Sequence, residues 1–173
     1  MGVKKRFWFD TEFIEYPPTI DLISIGITNE KDEKLYLVSS EFDESKANRW
    51  VQVNVLPQLP PRDARVSRDQ IRDRIIDFVS QPYSFGMFPG EWDIEFWSYY
   101  ADYDWVAFCW LFGKMIDLPR GYPKYCLDIK QLIHGLGNPR IPEELRVTSH
   151  TALADAIKHK KIYEWAMKLK GDK

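Results

Sequence analysis

Three short patterns of carboxylate and imidazole side chains carry the chemistry this chain could do. Asp10-Thr11-Glu12 places two acids two residues apart among Phe7, Trp8, Phe9, Phe13 and Ile14. On a strand, residues i and i+2 share a face, so these carboxylates would stand side by side. Two acids in apolar surroundings are costly unless a cation compensates them; solvated acids on an edge strand are the alternative. Asp104 lies where an alternating run, Ile94–Tyr99, gives way to an apolar helical one. Asp102 is close enough to exchange roles with it, and an Asp at that place also serves as a helix N-cap. Near the C-terminus, Ser149-His150-Thr151-Ala152-Leu153-Ala154-Asp155-Ala156 opens a last helix. A histidine with an ordinary pKa of ~6.5 suits a base near neutral pH, although a solvent-facing His at a helix start would look the same. Carboxylates gathered from separate elements suit hard cations such as Mg²⁺. Two such ions ~3.5–4 Å apart stabilise the attacking and leaving oxygens of a phosphodiester, while a base takes the proton of the attacking water. Each pattern is weak alone. Their combination and order are not.

The elements that must position these residues follow from periodicity and punctuation. Phe7–Ile14 reads as a strand, broken at Pro17-Pro18. Leu22–Thr28 is apolar on both faces, as a central strand should be. The polar loop 29–34 leads to a third strand at Leu35–Ser39, completing an antiparallel meander. Glu44–Val55 reads as a helix, stopped by a connector holding Pro57, Pro60 and Pro61. Ser67 and Gln70 form a capping box for a helix running through Ser80. Gly86, Pro89 and Gly90 mark a loop before the strand at 94–99. Tyr103–Met115 should be helical, Leu127-Asp128-Ile129 begins another helix or strand, and Ser149 or His150 should cap the last helix, which runs through Lys168. Strands and helices in this order imply an α/β architecture, a mixed sheet with helices on its faces, in a single domain over residues 1–173.

Composition sets the outer bounds. The chain has 173 residues, 45% of them hydrophobic and 29% charged, with a formal net charge of −2. That excludes a uniformly basic nucleic-acid coat but permits an acidic, cation-neutralised site. Cys109 and Cys126 show no CxxC spacing, which excludes a disulfide framework or a cysteine-rich zinc module and fits two thiols in a reducing cytosol. Asp10 and Glu12 interrupt the apolar run at Phe7-Trp8-Phe9 well short of a signal segment. The longest apolar stretch, Trp105–Phe112, is far below the ~20 residues a membrane span needs. These features point to a cytoplasmic protein with no membrane partner.

Taken together, Phe9-Asp10-Thr11-Glu12-Phe13, Tyr103-Asp104 followed by Phe108, and His150-Thr151-Ala152-Leu153-Ala154-Asp155-Ala156 resemble the three motifs of the DEDDh branch of the DnaQ-like 3′–5′ exonucleases. The resemblance spans about residues 6–166. Asp10–Glu15, Leu22–Gly26, Val55–Pro61, Ser67-Arg68 with Gln70-Ile71, and Tyr103-Asp104 look most like a small bacterial and phage subgroup, the polyadenylate-specific 3′-exoribonuclease AS type. The resemblance implies a ribonuclease H-like fold with a central five-stranded mixed sheet and helices on both faces. It also implies Mg²⁺- or Mn²⁺-dependent removal of 5′-mononucleotides from the 3′ end of single-stranded RNA, with two ions per site, a poly(A) preference, and a protein that can be a homodimer. Carried across by motif, Asp10, Glu12, Asp104 and Asp155 are the metal-binding acids and His150 is the general base. Two departures stand out: Phe13 follows DxE where many relatives have a small residue or Thr, and Tyr100 replaces the usual Asn four residues before Asp104.

A single-stranded 3′ end needs stacking surfaces and phosphate contacts. Phe13, Trp97 and Tyr103 are the candidate substrate-binding aromatics. Arg62, Arg65, Arg68, Arg72 and Arg74, and the lysines at 158, 160, 161, 168 and 170, are candidate phosphate guides or solvated helix faces. RNA over DNA requires a contact to the 2′-hydroxyl, which rests here on the resemblance. The rival readings are a DNA 3′–5′ exonuclease, a catalytically silent nucleic-acid-binding module on the same fold, and an assembly protein suggested by the 15% aromatic content.

Overall fold

A computed structural model describes residues 3–80, 92–147 and 149–171. The apolar, β-branched runs form strands β1 (Val3–Tyr16), β2 (Thr19–Asn29), β3 (Lys34–Val38), β4 (Trp92–Ser98) and β5 (Leu127–Asp128). The helices are α1 (Arg49–Asn54), α2 (Arg68–Ser80), α3 (Asp102–Trp110), α4 (Ile129–Gly135) and α5 (Ala152–Gly171). The strands make one five-stranded sheet in the order β3-β2-β1-β4-β5. β1 runs antiparallel to β2, and β2 to β3, as the meander required, whereas β1–β4 and β4–β5 are parallel. This is the α/β mixed sheet expected of a ribonuclease H-like fold. The loop expected around Gly86, Pro89 and Gly90 lies outside the described residues.

Strand alternation sorts the core. Phe7 and Phe9 point to one face, against Ile71, Ile75 and Val79 of α2 and Ala107 and Phe108 of α3. Trp8 points to the other, against Ile129 and Ile133 of α4 and Ile162, Tyr163 and Ala166 of α5. A third cluster seats Val51 of α1 and Val55 on Ile14, Ile23 and Val38. The helices therefore cover both faces. Among the described residues no helix is long and apolar enough to cross a membrane.

Local chemistry explains most boundaries. The Ser67–Gln70 capping box forms as expected: the Gln70 amide N–H donates to Ser67 Oγ at 3.2 Å and the Ser67 N–H to Gln70 Oε1 at 3.0 Å. Three expectations need correction. The helix read as Glu44–Val55 is split into a one-turn 3-10 segment at Glu44–Lys46 and α1, because Asn48 stays extended and caps the Val51 N–H. The helix read to Met115 stops at Trp110; the last N–H groups tighten onto i−3 carbonyls and Gly113 turns the chain at φ +104°. The last helix is capped by neither Ser149 nor His150. His150 sits at φ +54°, outside helical space, and the Thr151 carbonyl accepts the first helical bond from the Asp155 N–H at 3.0 Å.

One glycine fixes how close α5 comes to the sheet. Gly26 of β2 pairs with Asp10 of β1. A Cβ built on Gly26 would lie 2.3 Å from the backbone N and Cα of Leu153. Only a residue without a side chain lets the first turn of α5 rest directly on the strand beside the DxE pair. Ala152 and Ala156 are fully buried there, their small side chains letting the helix sit close, while Ala154 faces solvent.

Candidate active site

The three patterns meet on one patch of the sheet. Asp10 and Glu12 project from β1 toward the start of α5. A register shift between Glu12 and Phe13 in the β1–β2 pairing ends the regular alternation just beyond them. Ligand-capable atoms of Glu12, His150 and Asp155 all lie within 4.8 Å of one another. Asp10 Oδ1 is 3.8 Å from Nε2 of His159, one turn beyond Asp155 on α5. Asp104 arrives from α3. Its Oδ1 accepts from the Thr11 N–H at 3.0 Å and from Thr11 Oγ1 at 2.5 Å, and its Oδ2 accepts from Ser98 Oγ at 2.9 Å. Asp104 is buried and Asp102 exposed, so Asp104 is the acid of the pair that faces the DxE strand. It is not a helix N-cap; Ala101 holds that position.

The electrostatics follow from this crowding. Burial, with the charges of Asp104, Glu12 and Asp155, drives the Asp10 carboxyl well above the usual carboxylate range. Burial and the neighbouring Asp155 and Asp104 push Glu12 up to about 7. Burial pushes Asp104 up to about 6, opposed by the donors from Thr11 and Ser98. Like charges gathered out of water resist ionisation. The nearest compensating cation is Lys158, whose Nζ is 2.5 Å from Asp155 Oδ1 and whose side chain is 16% exposed. One ammonium against four carboxylates leaves the cluster under-neutralised. That donor set, all hard oxygens from three elements with an imidazole at the rim, fits a divalent cation.

His150 is held at the rim by its own backbone. Its N–H donates to Asp155 Oδ2 at 3.1 Å, and its ring meets Trp50 edge to face at 4.8 Å. His159 is a different kind of histidine. Its Nδ1 lies 3.1 Å from the Phe9 carbonyl, and burial lowers its pKa to about 4. It is a neutral group that braces α5 against β1 behind Asp10.

The substrate-side expectations divide. Phe13 and Tyr103 stack in parallel beside the acids, with centroids 5.9 Å apart and planes 10° apart, and Tyr103 is half exposed. Trp97 goes elsewhere: it packs on Tyr163, two turns past Asp155 on α5, and donates to Glu95 at 3.1 Å. That is a core position between sheet and helices, set by β4 alternation. The arginine run is largely consumed in ion pairs: Arg62 and Arg65 hold Glu44, Arg68 holds Asp21, and Arg72 holds Asp69 and Asp73. Lys160 is buried and ties α5 to the β2–β3 turn through Asn29, Glu30 and Asp32.

Several residues of the site carried no signal that sequence reasoning could use. Thr11 was visible only as the spacer of DxE. Ser98 and Asp128 mark the ends of the short parallel strands; Asp128 caps α4 and also accepts from the Ala101 N–H at 2.7 Å, fixing the turn into α3. Trp50 lies in a segment read only as helix, and Gln58 in the connector Val55–Pro61, which entered the subgroup resemblance with no role for its glutamine.

No protein-family model matches the chain. It is 41% identical over 153 residues to a 3′–5′ exoribonuclease of Mycobacterium tuberculosis strain H37Rv, a match covering 87% of this chain and 86% of the relative. The 3′–5′ exoribonuclease of strain CDC 1551 matches to the same extent. The chain belongs to this 3′–5′ exoribonuclease family. A site of clustered carboxylates with a histidine at its rim is chemically appropriate to a family of phosphodiesterases. Among the described residues, the exoribonuclease sheet presents that site where β1, α3 and the start of α5 converge.

Proposed function

We propose that the protein is a metal-dependent 3′–5′ exoribonuclease of DEDDh type that releases 5′-mononucleotides from the 3′-OH end of single-stranded RNA in the cytoplasm. Its motifs resemble those of the polyadenylate-specific AS subgroup. The observation that carries the reading is the convergence of Asp10, Glu12, Asp104 and Asp155 with His150 on one patch of the sheet, in a chain 41% identical to 3′–5′ exoribonucleases. A silent binding module would have no need for four clustered acids, three of which, Asp10, Glu12 and Asp104, are held above the usual carboxylate range.

In this reading Asp10, Glu12, Asp104 and Asp155 hold two Mg²⁺ or Mn²⁺ ions. The ions, when bound, supply the positive charge that the scissile phosphate, attacking water and leaving oxygen require. The rest falls to the chain. The His150 imidazole, neutral, takes the proton of the attacking water as the new P–O bond forms and the bond to the RNA 3′ oxygen breaks. Thr11 and Ser98 keep the Asp104 carboxylate oriented and ionised. Lys158 offsets part of the acid charge and must yield Asp155 Oδ1 if that oxygen becomes a ligand. The Phe13–Tyr103 pair offers an aromatic surface for the terminal base.

The test is a 5′-labelled RNA oligonucleotide incubated with the protein and Mg²⁺, beside a matched DNA. A ladder shortening from the 3′ end, faster on RNA and abolished by EDTA, is the expected result. Uncleaved RNA that is nevertheless bound would leave the silent module, and equal or faster trimming of DNA would overturn the substrate assignment.

A further inference from the structure

His150 stands on a turn that its own sequence does not favour. A non-glycine residue at φ +54° is strained and persists only where its surroundings over-determine it. The Asp155 carboxylate fixes one side of the turn through the His150 N–H. The other side is fixed by a residue 92 positions away in the chain. Gln58 Nε2 donates to the Ser149 carbonyl at 2.9 Å and to the His150 carbonyl at 3.3 Å, and Gln58 Oε1 accepts from Thr151 Oγ1 at 2.9 Å. The orientation of this amide follows from chemistry. Two backbone carbonyls can only accept, so the nitrogen must face them, and the oxygen is left for the threonine hydroxyl.

Gln58 is in turn rigidly carried. It ends the 3-10 segment Leu56–Gln58, its N–H bonds to the Val55 carbonyl at 3.0 Å, and its Nε2 also reaches the Asn54 carbonyl at 2.5 Å. Val51 and Val55 anchor this segment on Ile14, Ile23 and Val38 of the sheet. From the same segment, Trp50 sets its ring edge to face against the His150 imidazole. Gln58 itself is exposed, so its polar bonds answer to the turn and not to a packing need of the core.

We propose that Gln58 is a positioning residue for the exonuclease reaction. It clamps residues 149–151 so that the His150 imidazole stays over Glu12 and Asp155, with Trp50 as the stop on its far side. This rests on the reading of His150 as general base. The clamp acts through His150 and not on the metal ligands, and small displacements of a catalytic group are costly. A misplacement of about 1 Å can reduce turnover by ~10²-fold.

A double-mutant cycle tests it. Gln58→Leu keeps the volume but removes every hydrogen bond to the turn. It should lower kcat roughly 10–100-fold, leave the Mn²⁺ affinity of the protein unchanged by calorimetry, and shift and broaden the His150 ring signals by NMR. Thr151→Ala, which removes one of the three bonds, should show a smaller loss of the same kind. In a His150→Ala background, Gln58→Leu should have no further effect, because residues that act as one unit are not additive. If His150→Ala is impaired and Gln58→Leu costs as much in that background as in the wild type, the role of Gln58 is overturned while the base assignment stands. If His150→Ala turns over at the wild-type rate, the base assignment falls first and the clamp has nothing to position. Unchanged His150 signals in a folded Gln58→Leu protein would also overturn the clamp.

Discussion

The hydroxyl and amide of Thr11 both donate to one oxygen of Asp104, at 2.5 and 3.0 Å, so the residue between the two acids of β1 holds the third acid in place. Burial drives the Asp104 pKa up to about 6, and these donors oppose that rise. Thr11→Val removes the hydroxyl donor and keeps the shape and the backbone bond. Losing a donor to the charged form raises the pKa further. The expected outcome is a loss of about tenfold in kcat near pH 6.5, shrinking as pH rises, with the acid limb of the rate profile displaced upward. A uniform loss at all pH values would show that Thr11 acts by packing alone.

The acid cluster sets a pH dependence of stability with an unusual sign. Glu12 at about 7 and Asp104 at about 6 sit above ordinary carboxylate values, and Asp10 is raised as well. Between the unfolded and folded pKa values the native state binds more protons than the unfolded chain, so stability falls as pH rises through this window. In EDTA, Tm should increase as pH is lowered from about 8 toward 5, and Asp10→Asn should raise Tm at pH 8 while abolishing turnover. For a chain of this size Tm moves about 2–4 °C per kcal/mol. Saturating Mn²⁺ should flatten the profile. A metal-free Tm that falls steadily below pH 8 would contradict the clustering of ionised acids.

His150 is expected to govern rate and not affinity. General base catalysis is typically worth 10²–10⁴-fold, and His150→Ala should lose about that much in kcat. Its ring nitrogen also lies within 4.8 Å of carboxylate oxygens of Glu12 and Asp155, so calorimetry must accompany the kinetics. Unchanged Mn²⁺ affinity fits the base. A large loss of affinity would make the imidazole a ligand. Raised pH should partly restore the variant, because hydroxide then replaces the base.

Gly26→Ala tests the seat of α5. The added methyl would meet the Leu153 backbone at 2.3 Å, and backbone cannot swing aside as a flexible side-chain tip can. Overpacking of this kind costs about 1–3 kcal/mol or more. Lifting the first turn of α5 would also move Asp155 and His150 away from Glu12. Denaturant melts should show the loss of stability, and turnover should fall further than stability alone explains, at least ~10²-fold.

Periodicity placed most of the strands and helices, because strand alternation at Phe7–Phe9 and helical spacing at Ile71–Val79 reflect burial that a one-dimensional pattern records. It overran the helices read at Glu44–Val55 and Tyr103–Met115, whose limits Asn48 and Gly113 set locally. The candidate acids and His150 were legible only in combination, because DxE, an Asp after a later strand and His-x4-Asp are each weak signals and their order along the chain is not. The partners of Gln58, Ser98 and Lys158 were not legible, because a glutamine after a proline, a serine at a strand end and a lysine on a helix are chemically ordinary until the chain brings them to the groups they meet. Trp97 shows the converse. An aromatic near Asp104 in sequence looks like a stacking surface, and only the facing of β4 decides that it belongs to the core beside Tyr163. Sequence thus determined which chemistry the chain carries. The tertiary structure decided which side chains share it, because the contacts of Thr11 with Asp104 and of Gln58 with the His150 turn span about 90 residues and exist only once β1, α3 and α5 have docked.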